Sequence, residues 1–519
     1  MSALPTFAAP LFVTTGTLPD ATFGAAYSQT LQAIGGTAPY NWSVVSGTLP
    51  AGLTLSPGGQ FTGTPTAIAT STFTVQVTDS SVPPATNSRS LALTVDQAGT
   101  TTSVASSANP SVVGQTVTLT ATVLAASPAT GTPTGSVTFM DGATTLGTMA
   151  LASGRAAFAS SALSAGTHSI TARYGGDADF LGSASPPLSQ VVNKGGATVG
   201  VASSVNPSLF GQTVGFIATV AAAPPAIGAP SGTVTFSDGA TTLGTAMLAG
   251  GSAGITTSTL AAGNHSITAS YGGDGNFTSA VSGALGQVVN RAATTTSLTS
   301  SANPATSGQA VTFTAMVAAV APGSGTPTGT VTFLDGTATL GSAALAGGTA
   351  SFTTSALSGG SHSITASYGG NGNFLASTSG VLNESVTYLF IGYLSPLATA
   401  GTYSSPSYSG SFKLGKAIPV KWQLKDSSGN YISSLSTARL LQAVKNVGCP
   451  GVPGTQAIVL YSPTSGATGN STFRYDTTNN QFIFNWDTSS TAGLGTGCYT
   501  LVLQLADGSP AKATIVQLN

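Results

Sequence analysis

Along QTVTLTATV (115–123), apolar and hydroxyl side chains alternate without a break. Val117, Leu119, Ala121 and Val123 take one face, and Thr116, Thr118, Thr120 and Thr122 take the other. A period of two predicts a strand with one face buried and one wet. In GSVTFMDGATTLG (135–147), Val137 and Phe139 keep the alternation, and Asp141-Gly142 is a hairpin-turn signal. ALSAGTHSITARY (162–174) then turns at Gly166 into a strand with Ile170, Ala172 and Tyr174 inward. Strands of this kind arrive roughly every 8–12 residues with turns between them, which predicts a two-sheet antiparallel sandwich.

The pattern returns. Asn109-Pro110, Val137-Thr138-Phe139 and His168 recur as Asn206-Pro207, Val234-Thr235-Phe236 and His265, then as Asn303-Pro304, Val331-Thr332-Phe333 and His362, each 97 residues on. Such a period is too long for a solenoid unit and suits an independent sandwich. The sequence thus predicts an N-terminal extended segment at 1–9 and a first domain at 10–97. Three repeats follow at 98–193, 194–290 and 291–386, then a different C-terminal domain at 387–519.

Two phrases in the first domain, Leu49-Pro50-Ala51-Gly52-Leu53 and Gly63-Thr64-Pro65, stand after Pro39-Tyr40-Asn41-Trp42. Together they resemble an Ig-like family of surface proteins marked by a Leu-Pro-x-Gly-Leu phrase and a Gly-Thr-Pro turn. The first repeat carries Asn-Pro-Ser, Gly-Gln-Thr-Val-Thr and His-Ser-Ile-Thr-Ala-Arg-Tyr-Gly-Gly-Asp, the other two carry close variants, and the three resemble the tandem bacterial Ig-like domains of large adhesins. GKAIPVKWQLKDSSGNYI (415–432) resembles the PxKF domain at the C-termini of bacterial surface proteins, with Trp422 where Phe is usual. These resemblances imply an all-β chain of tandem Ig-like antiparallel sandwiches, set as beads in an elongated rod. At roughly 40 Å per sandwich, set by strand length plus loops, that rod would be about 200 Å long. They also imply an extracellular or cell-surface setting, with no specified ligand.

Composition narrows the function. Only 5% of residues are charged, where about 25% is usual, so the acids, bases and cations of an enzyme site are scarce. No apolar run is long enough for a membrane helix, and the start MSALPTFAAPLF lacks a basic n-region, so no membrane insertion and no secretory signal are read in this chain. With a net charge of −1 and no aromatic platform among basic residues, nucleic acid is excluded as a partner.

His168, His265 and His362 are the chain's three histidines, one per repeat. Each shares parity with inward residues at a sheet corner, where an imidazole satisfies loop groups that would otherwise be buried unpaired. A metal needs three or four ligands, and these histidines lie in separate domains. They are read as structural corners, with no catalytic residue, metal or cofactor expected. Asp177-Ala178-Asp179 has calcium-loop spacing, but its copies Asp274-Gly275-Asn276 and Asn371-Gly372-Asn373 lose the charge, as turn residues can. Asp141, Asp238 and Asp335 are read as hairpin-turn residues. No repeat body contains a lysine, Lys194 sitting in the linker at the start of the second repeat, which closes off Lys–Asn isopeptide cross-links there.

Cys449 and Cys498 are the only pair, and a disulfide is expected, placing the chain in an oxidising compartment. Residues 387–519 carry a net +4 against −5 for residues 1–386. Lys413, Lys416, Lys421 and Lys425 mark a candidate contact surface there. The reading is a non-enzymatic stalk or adhesin whose partner is a protein or glycan at a cell surface or envelope. An alternative is a homopolymer, a surface filament or virion fibre in which residues 1–14 donate a strand to a neighbour. A third is an accessory binding region of a secreted enzyme.

Overall fold

A computed structural model of the chain describes residues 9–397 and 401–519. The fold is all-β, as the alternation requires, and the 3-10 turn Leu435–Thr437 is the one helical element among the described residues. None of their helices is long and apolar enough to cross a membrane.

The chain divides into two compact units, and the division runs through the middle repeat. In the first unit, the N-terminal sandwich sets a four-stranded sheet (Ala21–Thr22, Thr86–Asp96, Thr70–Thr78, Asn41–Gly47) against a three-stranded one (Tyr27–Thr30, Gln60–Gly63, Leu53–Leu55). Trp42, Phe61, Phe73, Val75 and Leu93 fill the space between. Gly52 and Gly63, the glycines of the two recognition phrases, lie backbone to backbone. A Cβ on either would overlap the other segment, Gly52 meeting the Thr64 carbonyl and Gly63 the Gly52 carbonyl. That approach lets Thr64 N donate to Gly52 O at 3.1 Å and Thr66 N to Ala51 O at 3.0 Å.

Phe12–Val13 pairs with Ala33–Ile34 of the same sandwich, and Leu11 and Val13 are buried in its core. Residues 11–13 are therefore part of this sandwich and cannot be a free donor arm, because their apolar face is already covered. The rest of the expected N-terminal segment, Met1–Ala8, lies outside the described residues.

Each repeat builds the same pair of sheets. In the first, Thr100–Ser106, Val117–Ala125 and Arg155–Ser160 form the smaller sheet. The larger runs Ser111–Val112, Leu188–Asn193, Gly166–Tyr174, Ser136–Asp141, Thr144–Ala150, with Ser183–Ala184 pairing on Gly166–Tyr174. Val117, Leu119, Ala121 and Val123 meet Val137, Phe139, Ile170 and Ala172 across the middle, each less than 3% exposed. The Asp141-Gly142 signal closes a hairpin in which Asp141 pairs with Thr144.

The recurring Asn-Pro phrase ties the short second strand to the last. Asn109 Nδ2 donates to Ser189 O at 2.7 Å while its Oδ1 accepts from Val191 N at 2.9 Å, extending the parallel pairing of Ser111 with Val192. Asn206 and Asn303 repeat both bonds.

In the second unit, the C-terminal region packs Leu389–Leu394, Ala417–Lys425, Gln481–Asp487 and Thr472–Asp476 against a larger sheet led by Lys512–Leu518, Gly497–Leu505 and Ala438–Gly448. Trp422 and Trp486 are core residues, 1% and 0% exposed. Trp422 stacks on Phe482 and Phe473 at 5.4 Å.

The junctions inside each unit share one device. In the first unit, Thr130 N donates to Gly24 O at 2.9 Å, and Ile227 N donates to Val113 O at 3.2 Å. In the second, Ser324 N donates to Phe210 O at 3.1 Å and Ser427 N to Ser307 O at 2.9 Å. Beside these acceptors, Gly114 and Gly211 adopt φ of +78°, and a Cβ on either would run into the partner backbone at Ile227 or Ser324. This is why the Gly of Gly-Gln-Thr-Val-Thr is a glycine.

Candidate functional site

The histidine corner brings titratable groups from two paired strands of a repeat into direct contact. Gly166–Tyr174 brings His168 beside the Asp141 hairpin, and Nδ1 stands 2.6 Å from Asp141 Oδ2. Nε2 stands 2.9 Å from Ser164 O. Asp141 Oδ1 also accepts from Ser169 N at 3.1 Å. His362 repeats the arrangement with Asp335 Oδ2 at 2.6 Å and Ser358 O at 2.8 Å. His265 Nε2 lies 2.8 Å from Ala261 O, and Ser266 N donates to Asp238.

A carbonyl only accepts, so Nε2 carries a proton. A carboxylate accepts too, so Nδ1 donates as well. Burial works against that charge, but the Ser164 carbonyl and Asp141 outweigh it, and the His168 pKa is raised above the ordinary histidine value. For His362, too, burial is outweighed, there by Asp335 and Ser358. A ring with both nitrogens donating keeps no lone pair with which to take a proton from a nucleophile. It clamps the loop before the strand to the hairpin beyond it. The sequence reading took Asp141 and Asp335 as turn residues only; each is also the carboxylate partner of its histidine. The 27-residue gap hides the pair in the sequence, although the constant offset in two copies is a usable signal.

Asp177 is a cap. Its Oδ1 accepts from Asp179 N at 2.9 Å and Phe180 N at 2.8 Å, and its Oδ2 accepts from Thr134 N and Thr134 Oγ1, both at 2.7 Å. Burial opposes its ionisation, yet these four donors hold the carboxyl down at about 2. Asn371 keeps the same frame with different chemistry. Its Oδ1 accepts from Asn373 N and Phe374 N, while Nδ2 donates to the Thr328 carbonyl and hydroxyl. Among the described residues, no group of three or more His, Cys, Asp or Glu is placed to hold a metal ion.

Asn276 and Asn373, the last residues of these turns, have a separate task. Their Oδ1 atoms accept from Ala165 N and Ala262 N of the preceding repeat, each at 2.9 Å. The sequence reading missed this, since nothing local marks an asparagine as a bridge between repeats.

In the C-terminal region, Cys449 and Cys498 are bonded, with Cα atoms 5.2 Å apart. Closing a loop with a sequence separation of 49 stabilises by about 4 kcal/mol in the loop-entropy picture. The four lysines do not form one patch on one element. Lys421 and Lys425 are half-buried on the outer face of Ala417–Lys425, Lys425 lying 4.5 Å over the Tyr431 ring, while Lys413 and Lys416 are exposed before that strand.

Residues 101–193, 201–290 and 298–387 each match the family described as "Bacterial Ig-like domain (group 3)". The chain belongs to that family. Ahead of its three bacterial Ig-like repeats, residues 9–96 match the "Putative Ig domain" family. No curated protein matches the chain. Among solved structures, these Ig-like domains are similar to the "tetra-tandem repeat in extending region of large adhesion protein", at 21% identity over 72% of this chain and 99% of that one, TM-score 0.35. They are also similar to the D1–D4 ectodomain fragment of ICAM-5, at 14% identity over 73% and 100%, TM-score 0.29. The three N-terminal domains of the bacteriophage RB49 outer capsid protein Hoc align at 11% over 62% and 99%, TM-score 0.27. Bacterial Ig-like repeats are typically non-catalytic, and domains of this kind typify surface proteins.

Proposed function

We propose that the chain is a non-enzymatic extracellular stalk, a series of spacer domains that holds its C-terminal region away from an anchoring point. The observation that carries this reading is the recurrence of one backbone bond at four junctions, from Thr130 to Gly24 through to Ser427 to Ser307. A spacer benefits from joints of fixed geometry, whereas a set of independent binding modules gains nothing from them. Within a repeat, the short second strand pairs parallel with the last, at Ser111 with Val192 and again at Ser208 with Val289. Tension applied at the two ends of such a pair shears its bonds together, which supports a load-bearing role. The C-terminal region, with its PxKF resemblance, net positive charge and disulfide, supplies the contact surface, and Lys413 and Lys416 belong to it. Its partner is a protein or glycan of a cell surface or envelope.

Negative-stain imaging of the purified chain beside a variant lacking residues 194–290 tests this. The expected result is a discrete particle whose length falls by about 40 Å, one sandwich, on deletion. Particles of variable bend and unchanged mean span, or hydrolase or transferase activity in the purified chain, would overturn it.

A further inference from the structure

One station on the last strand of each repeat holds a side chain that no solvent reaches: Gln190, Gln287 and Glu384, all 0% exposed. In the first two repeats the amide nitrogen donates, and in the second the amide oxygen also accepts from Ser203 Oγ at 2.7 Å. Gln190 Nε2 donates to Ala108 O at 2.9 Å, Val191 O at 3.1 Å and Ser111 Oγ at 3.3 Å. Gln287 Nε2 donates to Val205 O and Val288 O, both at 3.1 Å, and Ser208 Oγ at 3.2 Å. In the third repeat the amide has become a carboxyl group, and the serine has become Ala305. Neither Oε1 nor Oε2 of Glu384 has a hydrogen-bond partner. The 97-residue step leaves the Ala302 and Ser385 carbonyls as the matching acceptors.

An ionised carboxylate can only accept, so against two carbonyls it would stand buried and unpaired. No neighbouring cation relieves it by hydrogen bonding. His362 is its cross-strand partner, but both ring nitrogens are committed, to Asp335 and to the Ser358 carbonyl. Asp335 also balances the charge of the ring. The strands Thr294–Ser300, Ala305–Thr306 and Leu382–Thr387 carry no other titratable group. The hydroxyl at this station, Ser300 Oγ, lies 3.1 Å from Ala302 O, which competes with Glu384 for its single proton.

We propose that Glu384 is held as a neutral carboxylic acid in the folded third repeat, its O–H replacing the amide N–H of Gln190 and Gln287, so that this repeat loosens as the pH rises through the range where an unfolded glutamate ionises. Burial raises the pKa of this carboxyl, with Ser300 and His362 pulling weakly the other way. The folded state then binds the proton more tightly than the unfolded one. Stability is greatest below the unfolded glutamate pKa, falls with rising pH, and levels off once the folded group ionises. The strand that carries Glu384 runs into Tyr388, whose N–H donates to Asp507 Oδ2 at 2.5 Å, so the loosening acts where the C-terminal region is joined. This goes beyond the stalk reading and stands without it.

Hydrogen exchange of the full chain between pH 5 and 8, corrected for intrinsic rates, tests the proposal by comparing residues 382–387 with 188–193. The raised pKa of His168 and His362 contributes in both repeats, and because His362 and Glu384 also act on each other, Glu384→Gln is the control that isolates the carboxyl. The opening equilibrium of the third repeat should rise relative to the first by up to about tenfold per pH unit, and Glu384→Gln should abolish the difference. A constant ratio, or one that persists in Glu384→Gln, would overturn the proposal. Infrared spectra of wild type minus Glu384→Gln at pH 7 give a second reading. A neutral-carboxyl carbonyl band supports the proposal, and carboxylate bands alone refute it.

Discussion

The first and third repeats share strand registers, core positions and the histidine corner, yet they differ at two polar stations with opposite consequences. At the turn, Asp177 becomes Asn371 and the frame survives with two bonds kept and two replaced. Oδ1 still accepts from Asn373 N and Phe374 N, while Nδ2 donates to the Thr328 carbonyl and hydroxyl where Asp177 accepted from Thr134 N and Oγ1. At the last strand, Gln190 becomes Glu384 and the amide's N–H donations are lost, because a carboxyl group has at most one proton to donate and the serine partner is gone. Which polar swap a repeat tolerates is decided by the donors and acceptors around the site, and the size of the change in charge is secondary. The two stations also pull the repeats apart in pH. The lowered pKa of Asp177 gives the first repeat a contribution that is complete above the unfolded aspartate pKa and is lost as the pH falls toward about 2. The raised pKa of Glu384 makes the third repeat lose stability as the pH rises.

Importing the defect of the third repeat into the first should produce the largest change. Gln190→Glu should cost the first repeat about 3 kcal/mol at pH 8 and clearly less at pH 5, by calorimetry of the full chain, since it leaves a charge buried against carbonyls. An equal cost at both pH values would break the comparison. Removing the turn carboxylate comes next. Asp177→Ala should cost about 2 kcal/mol at pH 7, because four donors to a charged acceptor lose their partner. Asp177→Asn should cost under about 1 kcal/mol at pH 7 and remove the acid-linked loss of stability altogether. Ala305→Ser should have the smallest effect. It restores the hydroxyl that Ser111 and Ser208 supply and should stabilise the third repeat by no more than about 1 kcal/mol, read as a shift of its thermal transition.

The strands were legible because period-two alternation states directly which face is buried. Val117, Leu119, Ala121 and Val123, and Ile418, Val420, Trp422 and Leu424, all fall on the inward face. The 97-residue step made the tandem order equally plain. What stayed hidden was the pairing of polar groups far apart in sequence: Asp141 with His168, Asn109 with Ser189 and Val191, Asn276 with Ala165. No local pattern encodes a partner 27, 80 or 111 residues away. Comparing the copies could have exposed one of them. The run Gln190, Gln287, Glu384 changes chemistry at a position that is fully buried in every copy, and Ala305 replaces serine in the same copy. The first strand shows the limit of reading apolarity alone. Residues 11–13 look like an arm waiting for a neighbour, but Ala33–Ile34 of the same sandwich already pairs with them.

The central claim, that the sandwiches are tied to one another as spacers, rests on four backbone amides. Hydrogen exchange of Thr130, Ile227, Ser324 and Ser427 in the full chain tests it most directly. Protection of about 100-fold or more over unstructured peptide at all four is the result the account predicts. Exchange at free-loop rates would mean that the junctions open independently, and would contradict it.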